Sequence, residues 1–179
     1  MYPKHEIGEI LFAEFISVTG GIIAGLGLSM FIDKIIVHPG AFILIPGLLE
    51  MRGNISGTMA ARLSSALHTH RLNPEITHSK IIRDNSIASF TLALIVGFIL
   101  GIVAFIATNL VFGIAHYQLI AISVIAAFLS TLFMLPLTTL AVFWLFKHGF
   151  DPDDIMGPYV TTIGDIIMIV ALYVAVSII

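Results

Sequence analysis

Between Ser86 and Phe146 the chain contains no Asp, Glu, Lys or Arg. A run of that length leaves no charged face to meet water. It is long enough for two hydrophobic spans of about 20 residues each, with Gly113–Gln118 as the turn between them. Ile10–Phe31 holds one charge, Glu14, and Ile155–Ile179 holds one, Asp165, so both also read as spans. Ala41–Leu67 is apolar but interrupted. Counting it, the chain reads as an all-α, polytopic membrane protein with five transmembrane helices, at about 10–32, 41–67, 86–112, 118–146 and 155–179. A mean hydropathy of +1.06 with only 11% charged residues agrees, since both lie outside the range of soluble domains.

That solvent excludes several function classes. The absence of cysteine removes disulfides and thiolate metal sites, and a net charge of -3 gives no electrostatic case for nucleic acid. Met1–Gly8 carries Lys4 and Glu6 ahead of an apolar run too long for a signal peptide, so the first span is expected to stay. Lys4, Arg71, Lys80, Arg83 and Lys147 fall on one side of a five-span chain, against Lys34 alone on the other. The positive-inside rule then makes the amino terminus cytoplasmic and the carboxyl terminus external, in a multi-pass protein of the cell membrane. The sizeable connection, His68–Asn85, leaves no room for a soluble catalytic or regulatory domain. Residues 1–179 are therefore expected to form one transmembrane domain in contact with lipid, and not an enzyme.

The intramembrane polar groups carry the functional reading, because an ionisable residue at a helix centre costs roughly 2.5–3.5 kcal/mol on the insertion scale. They are Glu14 in the first span, Glu50, Arg52, Asn54 and Arg62 in the second, and Asp165 in the fifth. Glu14 is expected to pair with Arg52 or Arg62. In the second span Glu50, Asn54 and Thr58 follow one helical face, and Gly53, Gly57 and Ala61 make an adjoining strip with almost no side chains. Gly53-xxx-Gly57 alone reads as a packing motif, like Gly21-xxx-Gly25 and Gly97-xxx-Gly101. Pro46-Gly47 and Gly53 are expected to weaken the helical ladder and free carbonyls near Leu49–Gly53 to face a cavity. In the fifth span Thr161 and Thr162 lie at i−4 and i−3 from Asp165, so one carboxylate and two hydroxyls share a face. Oxygen ligands backing a lone carboxylate suit Mg²⁺, a hard ion that keeps much of its water shell.

Other clusters carry less. Asp151, Asp153 and Asp154 around Pro152 read as an N-cap with a proline at N1 and dipole-favoured acids, with a cation vestibule as the weaker alternative. His68, His70 and His78 read as solvated loop histidines, Pro136 predicts a kink, and Trp144 fits an interfacial anchor.

Two stretches then point to a family. "FILIPGLLEMRGNISGTMAARLSSALHTH", Phe42–His70, with "DPDDIMGPYVTTIGDIIMI", Asp151–Ile169, closely resembles the transmembrane domain of the MgtE and solute-carrier family 41 magnesium transporters. The resemblance implies that Pro46, Leu48, Leu49, Gly53 and Asn54, with Thr161 and Thr162, line an ion path, and that Asp165 is the principal Mg²⁺ residue. The residues before Glu9 are not expected to supply the cytosolic sensing domains of bacterial MgtE. The animal carriers have two such halves in one chain, so this chain resembles one half that must pair. The resemblance leads one to expect a basic residue at Arg52, whereas Glu50 is less usual.

The expected function is divalent cation transport, with Mg²⁺ as substrate, through a site shared by the second and fifth helices of a homodimer. Two Asp165 carboxylates facing across a two-fold axis would repel unless a cation or proton lay between them. Exchange coupled to Na⁺ or H⁺ is the alternative, and a non-transport assembly protein a lesser one. An intramembrane aspartyl protease would need a second membrane aspartate, which this sequence lacks.

Overall fold

A computed structural model describes residues 4–75 and 79–179, and His78 lies outside them. Six helices run through the described residues, which contain no strand: α1 Lys4–Met30, α2 Ile32–Ile36, α3 Ala41–His68, α4 Lys80–Phe112, α5 Gln118–Lys147 and α6 Pro152–Ile178. Five are long and one is a single short piece. By length and composition α4, α5 and α6 can cross a membrane, and Glu14–Met30 within α1 is a shorter apolar segment. α3 carries Glu50, Arg52 and Arg62 and is not in that set.

Local chemistry sets the helix ends. Ser79 caps α4 by accepting a hydrogen bond from the Ile81 amide at 3.2 Å, and Gly113 ends that helix at φ 69°, a left-handed conformation open to glycine. Asp151 caps α6, its carboxylate accepting from the Asp153 amide at 3.0 Å, with Pro152 in the first turn and Asp153 and Asp154 behind it. This is the arrangement expected of that acidic cluster. The expected interruption of α3 is not found: the helix runs unbroken through Pro46, Gly47 and Gly53. Flanking packing on three sides holds it, and the carbonyls of Leu49–Gly53 belong to a regular helix. α5 is helical on both sides of Pro136.

α3 is central, packing against α4, α5 and α6, while α5 also packs against α4 and α6. α1 leans on α6 from outside and touches α2. α4 and α5 approach closely, because Gly97 faces Ala127 and Gly101 faces the Ile120 backbone. The Ser123 hydroxyl donates to the Gly97 carbonyl at 2.6 Å across that seam. Two apolar clusters fill the bundle. One gathers Leu44, Leu48, Met51 and Ile55 of α3 with Met168 and Leu172 of α6, and the other Met59, Leu63 and Leu67 with Met156 and Val160. The connections collect at two ends. His68 meets Asp151 at 3.4 Å at one, and Lys34 meets Ser177 at 3.2 Å at the other.

Candidate functional site

Asp165 lies on α6 between the two apolar clusters, where a bare carboxylate would be costly. Its partner comes from α3. The Arg52 guanidinium donates through Nη2 to Asp165 Oδ1 at 2.6 Å and through Nη1 to the Val160 carbonyl at 2.7 Å. The arginine side chain is 2% exposed and the aspartate 19%. Gly164 makes the approach possible, since a Cβ there would overlap the guanidinium. The arginine therefore lies flat on a notch in α6, held by a charged and a neutral acceptor. Arg52 Nε is buried with no hydrogen-bond partner among the described residues. Asp165 Oδ2 is likewise unengaged among them, so half of the carboxylate remains available to a ligand.

This geometry corrects one expectation. Glu14 was expected to hold Arg52 or Arg62, but it is exposed on α1, whose packing is against α6 and α2. Among the described residues no ion pair joins it to either arginine. The deep guanidinium goes instead to the deep carboxylate, where low polarity strengthens their attraction. Asp165 thus carries its counter-charge within one chain, which reduces the repulsion expected between two facing copies.

The other residues singled out in the sequence fall into separate groups. Asn54 donates from Nδ2 to Glu50 Oε1 at 3.0 Å, and Thr58 donates to the Asn54 carbonyl at 2.6 Å. Glu50, Asn54 and Thr58 form an exposed polar strip beside half-buried Gly53 and Gly57. Asn54 follows Arg52 by two residues, or about 200° around the helix, so the strip and the ion pair lie on different faces of α3. Nothing lies within 4 Å of a Cβ built at Gly53 or Gly57. Thr161 is exposed and Thr162 half-buried, and each donates its hydroxyl hydrogen back along α6, to Gly157 at 3.0 Å and Pro158 at 2.8 Å. Their oxygen lone pairs stay free. The Thr162 methyl fits against Gly20 of α1, which a Cβ would crowd. Asp153 and Asp154 are exposed at the α6 end.

Among the described residues no group of three or more His, Cys, Asp or Glu side chains could hold a metal ion. The chain brings together Asp165 and Arg52, not Asp165 and Asn54. Gly164 and the Arg52 pairing are the features that the sequence reading missed. The signal available was Gly164 immediately before a buried acid, with a basic residue deep in a neighbouring span.

Comparison with known proteins gives one consistent result. The MgtE family, described as a divalent cation transporter, matches residues 45–175. Solute carrier family 41 member 2 of Gallus gallus is 28% identical over 166 residues, covering 90% of this chain and 29% of the relative. The Homo sapiens member 2 is 27% identical over 166 residues with the same coverage. Solute carrier family 41 member 3 of Mus musculus is 30% identical over 132 residues, 69% of this chain and 26% of the relative. The chain spans less than a third of the length of these curated relatives.

Proposed function

Because the chain belongs to the MgtE family of divalent cation transporters, we propose that it carries Mg²⁺ across a membrane through a site shared by α3 and α6 of two copies. The observation that carries this reading is Asp165: a carboxylate deep in the bundle, 19% exposed, with one oxygen held by Arg52 and one free. Mg²⁺ is usually bound through one or two carboxylates with several waters retained. Asp165 Oδ2 supplies the anionic ligand, and Thr161 and Thr162 supply hydroxyl oxygens one turn away toward the Asp151 end.

Arg52 acts as a tethered cation. While it sits on Asp165 the carboxylate is neutralised and a divalent ion meets both a shared oxygen and a positive charge. Mg²⁺ at the free Oδ2 is opposed by the guanidinium on Oδ1, so ion and arginine compete for one carboxylate.

The remaining ligands come from the polar strip of the second copy's α3, since within one chain that strip faces away from Asp165. Glu50, Asn54 and Thr58 are exposed at a depth where unpaired polar groups are expensive, and Gly53 and Gly57 leave room for a neighbour. A second copy across a two-fold axis covers that strip and leaves a hydrated path between the chains. Gly53 then allows close approach, and Asn54 and Glu50 contact the ion's water shell. Asp153 and Asp154 serve the helix dipole first and a vestibule second, while Asp151 is engaged as the cap. Arg71, Lys80, Arg83 and Lys147 gather at the end opposite Lys34, which supports a cytoplasmic amino terminus.

Exchange coupled to Na⁺ or H⁺ draws on the same pair, since a carboxylate with a movable counterion can trade partners. Mg²⁺ flux into liposomes, measured with and without imposed Na⁺ and H⁺ gradients, tests both readings. Flux that follows only the Mg²⁺ gradient favours a channel-like path. No flux under any gradient, from protein shown to be folded and inserted, rejects transport.

A further inference from the structure

We propose that His38 and His116 form a two-imidazole site for a borderline transition-metal cation, Zn²⁺ or Cu²⁺, at the end of the bundle where α2 meets α3 and α4 meets α5. Neither residue belongs to the ion path described above, so the inference stands apart from the transport reading.

His38 lies in the turn before α3 and is 8% exposed; His116 lies in the turn before α5 and is half-buried. Their ring centroids are 5.1 Å apart with the planes inclined at 36°. Imidazole nitrogen binds Zn²⁺ at about 2.0–2.1 Å, which puts the metal about 3.2 Å from each centroid; two rings at a tetrahedral angle then have centroids about 5.2 Å apart. The observed separation matches.

The hydrogen bonding leaves the right atoms free. Nδ1 of His38 and Nδ1 of His116 are both buried and have no partner among the described residues. His116 Nε2 lies 3.2 Å from Gln118 Oε1; in the tautomer that donates from Nε2 to that oxygen, Nδ1 carries a bare lone pair. This is the arrangement by which an outer acceptor fixes a metal-ligating histidine. The nearby Thr108 hydroxyl, beneath Gly40, is already bonded to the Ala104 carbonyl at 2.7 Å. Water completes the coordination.

Two imidazoles suit Zn²⁺ or Cu²⁺ and not Mg²⁺, which prefers oxygen. A bound metal would tie the turn that starts α3 to the turn that joins α4 and α5.

The test uses the purified protein in detergent, stripped with a chelator and titrated with Zn²⁺. One equivalent should bind and raise the melting temperature, and an excess of Mg²⁺ should not displace it. His38→Ala and His116→Ala should each weaken binding by at least about tenfold, and Gln118→Leu by about tenfold, as for loss of an outer partner. His68→Ala and His70→Ala should leave it unchanged. Cu²⁺ bound to the wild type should show an electron paramagnetic resonance pattern from two nitrogen ligands. Hydrogen exchange on the wild type covers the case in which a variant does not fold: Zn²⁺ should protect the amides of Val37, His38, Gly40 and Ala41 and of residues 114–119. Unchanged affinity in both histidine variants, or protection confined to the His68–His70 turn, would overturn the proposal.

Discussion

Arg52 on α3 and Asp165 on α6 meet at 2.6 Å because Gly164 puts no side chain in the guanidinium's way. Losing one partner of a buried pair leaves the other charge uncompensated, at a cost of about 3–5 kcal/mol. Gly164→Ala is therefore expected to push Arg52 off its seat and lower the melting temperature in detergent by several degrees. Gly157→Ala, on the same helix with open space around it, is the control and should change little. Equal melting temperatures for the two would mean that the arginine does not depend on the notch.

Asp165→Asn is expected to abolish Mg²⁺ flux, because it removes the anionic ligand while keeping the shape. It also leaves Arg52 without a countercharge, so the single variant should melt earlier than wild type. Arg52→Gln with Asp165→Asn removes both charges and should recover much of that stability without recovering flux. A double-mutant cycle on melting, run beside liposome flux, separates the two roles. Normal flux in Asp165→Asn would end the assignment of Asp165 as the ion residue.

Five long helices, the α6 cap and the exceptional acid in α6 were legible in the sequence because each depends on local chemistry: hydropathy, capping preference and burial cost. The Arg52–Asp165 pair was not, since it joins residues far apart in the chain and depends on how α3 is rotated against α6. The same rotation decides that Asn54 and Glu50 face away from Asp165 within one chain. The expected break in α3 failed for a related reason, as tertiary packing on three helices outweighs the local weakness at Pro46 and Gly53. Glycine spacing alone does not say whether a strip packs within the chain. Gly97-xxx-Gly101 is a packing seam, yet Gly21 and Gly25 meet nothing within 4 Å.

That contrast gives a direct test. A Cβ at Gly101 would stand 2.7 Å from the Ile120 Cα, a backbone atom that cannot swing aside. Gly101→Ala should destabilise the α4–α5 hairpin measurably. Gly25→Ala should be neutral or stabilising by about 0.5–1 kcal/mol, the usual gain for alanine over glycine in a helix. Thermal melts of the two variants in one detergent decide it, and a stable Gly101→Ala would show that the helices can separate at no cost.

Asn54→Ala is expected to reduce Mg²⁺ flux modestly or to broaden competition by other divalent ions, since an amide oxygen contributes less than a carboxylate. The variant also frees Glu50 from its 3.0 Å hydrogen bond, which should raise sensitivity to Ca²⁺ and Mn²⁺ competitors. An unchanged competition profile would return Asn54 to a packing role.

The last expectation concerns the exposed strip of α3. In lipid, Glu50, Asn54 and Thr58 would face hydrocarbon unless water or protein covered them, and a helix exposing that row to acyl chains would be strongly disfavoured. Gly53 and Gly57 have open space beside them, so a helix from a second copy can approach closely along the same row. If two copies pair there, a cysteine placed at Thr58 should cross-link to its counterpart in liposomes with a short bifunctional reagent. A cysteine at Leu110, on the exposed face of α4, should not. Gly57→Leu would fill the gap and should lower both the cross-linking yield and the Mg²⁺ flux; a Cβ at that position meets nothing within 4 Å in the single chain, so the fold is expected to hold. Full flux from a protein shown to be a monomer in lipid would exclude the shared site and require a path inside one five-helix unit, past Arg52.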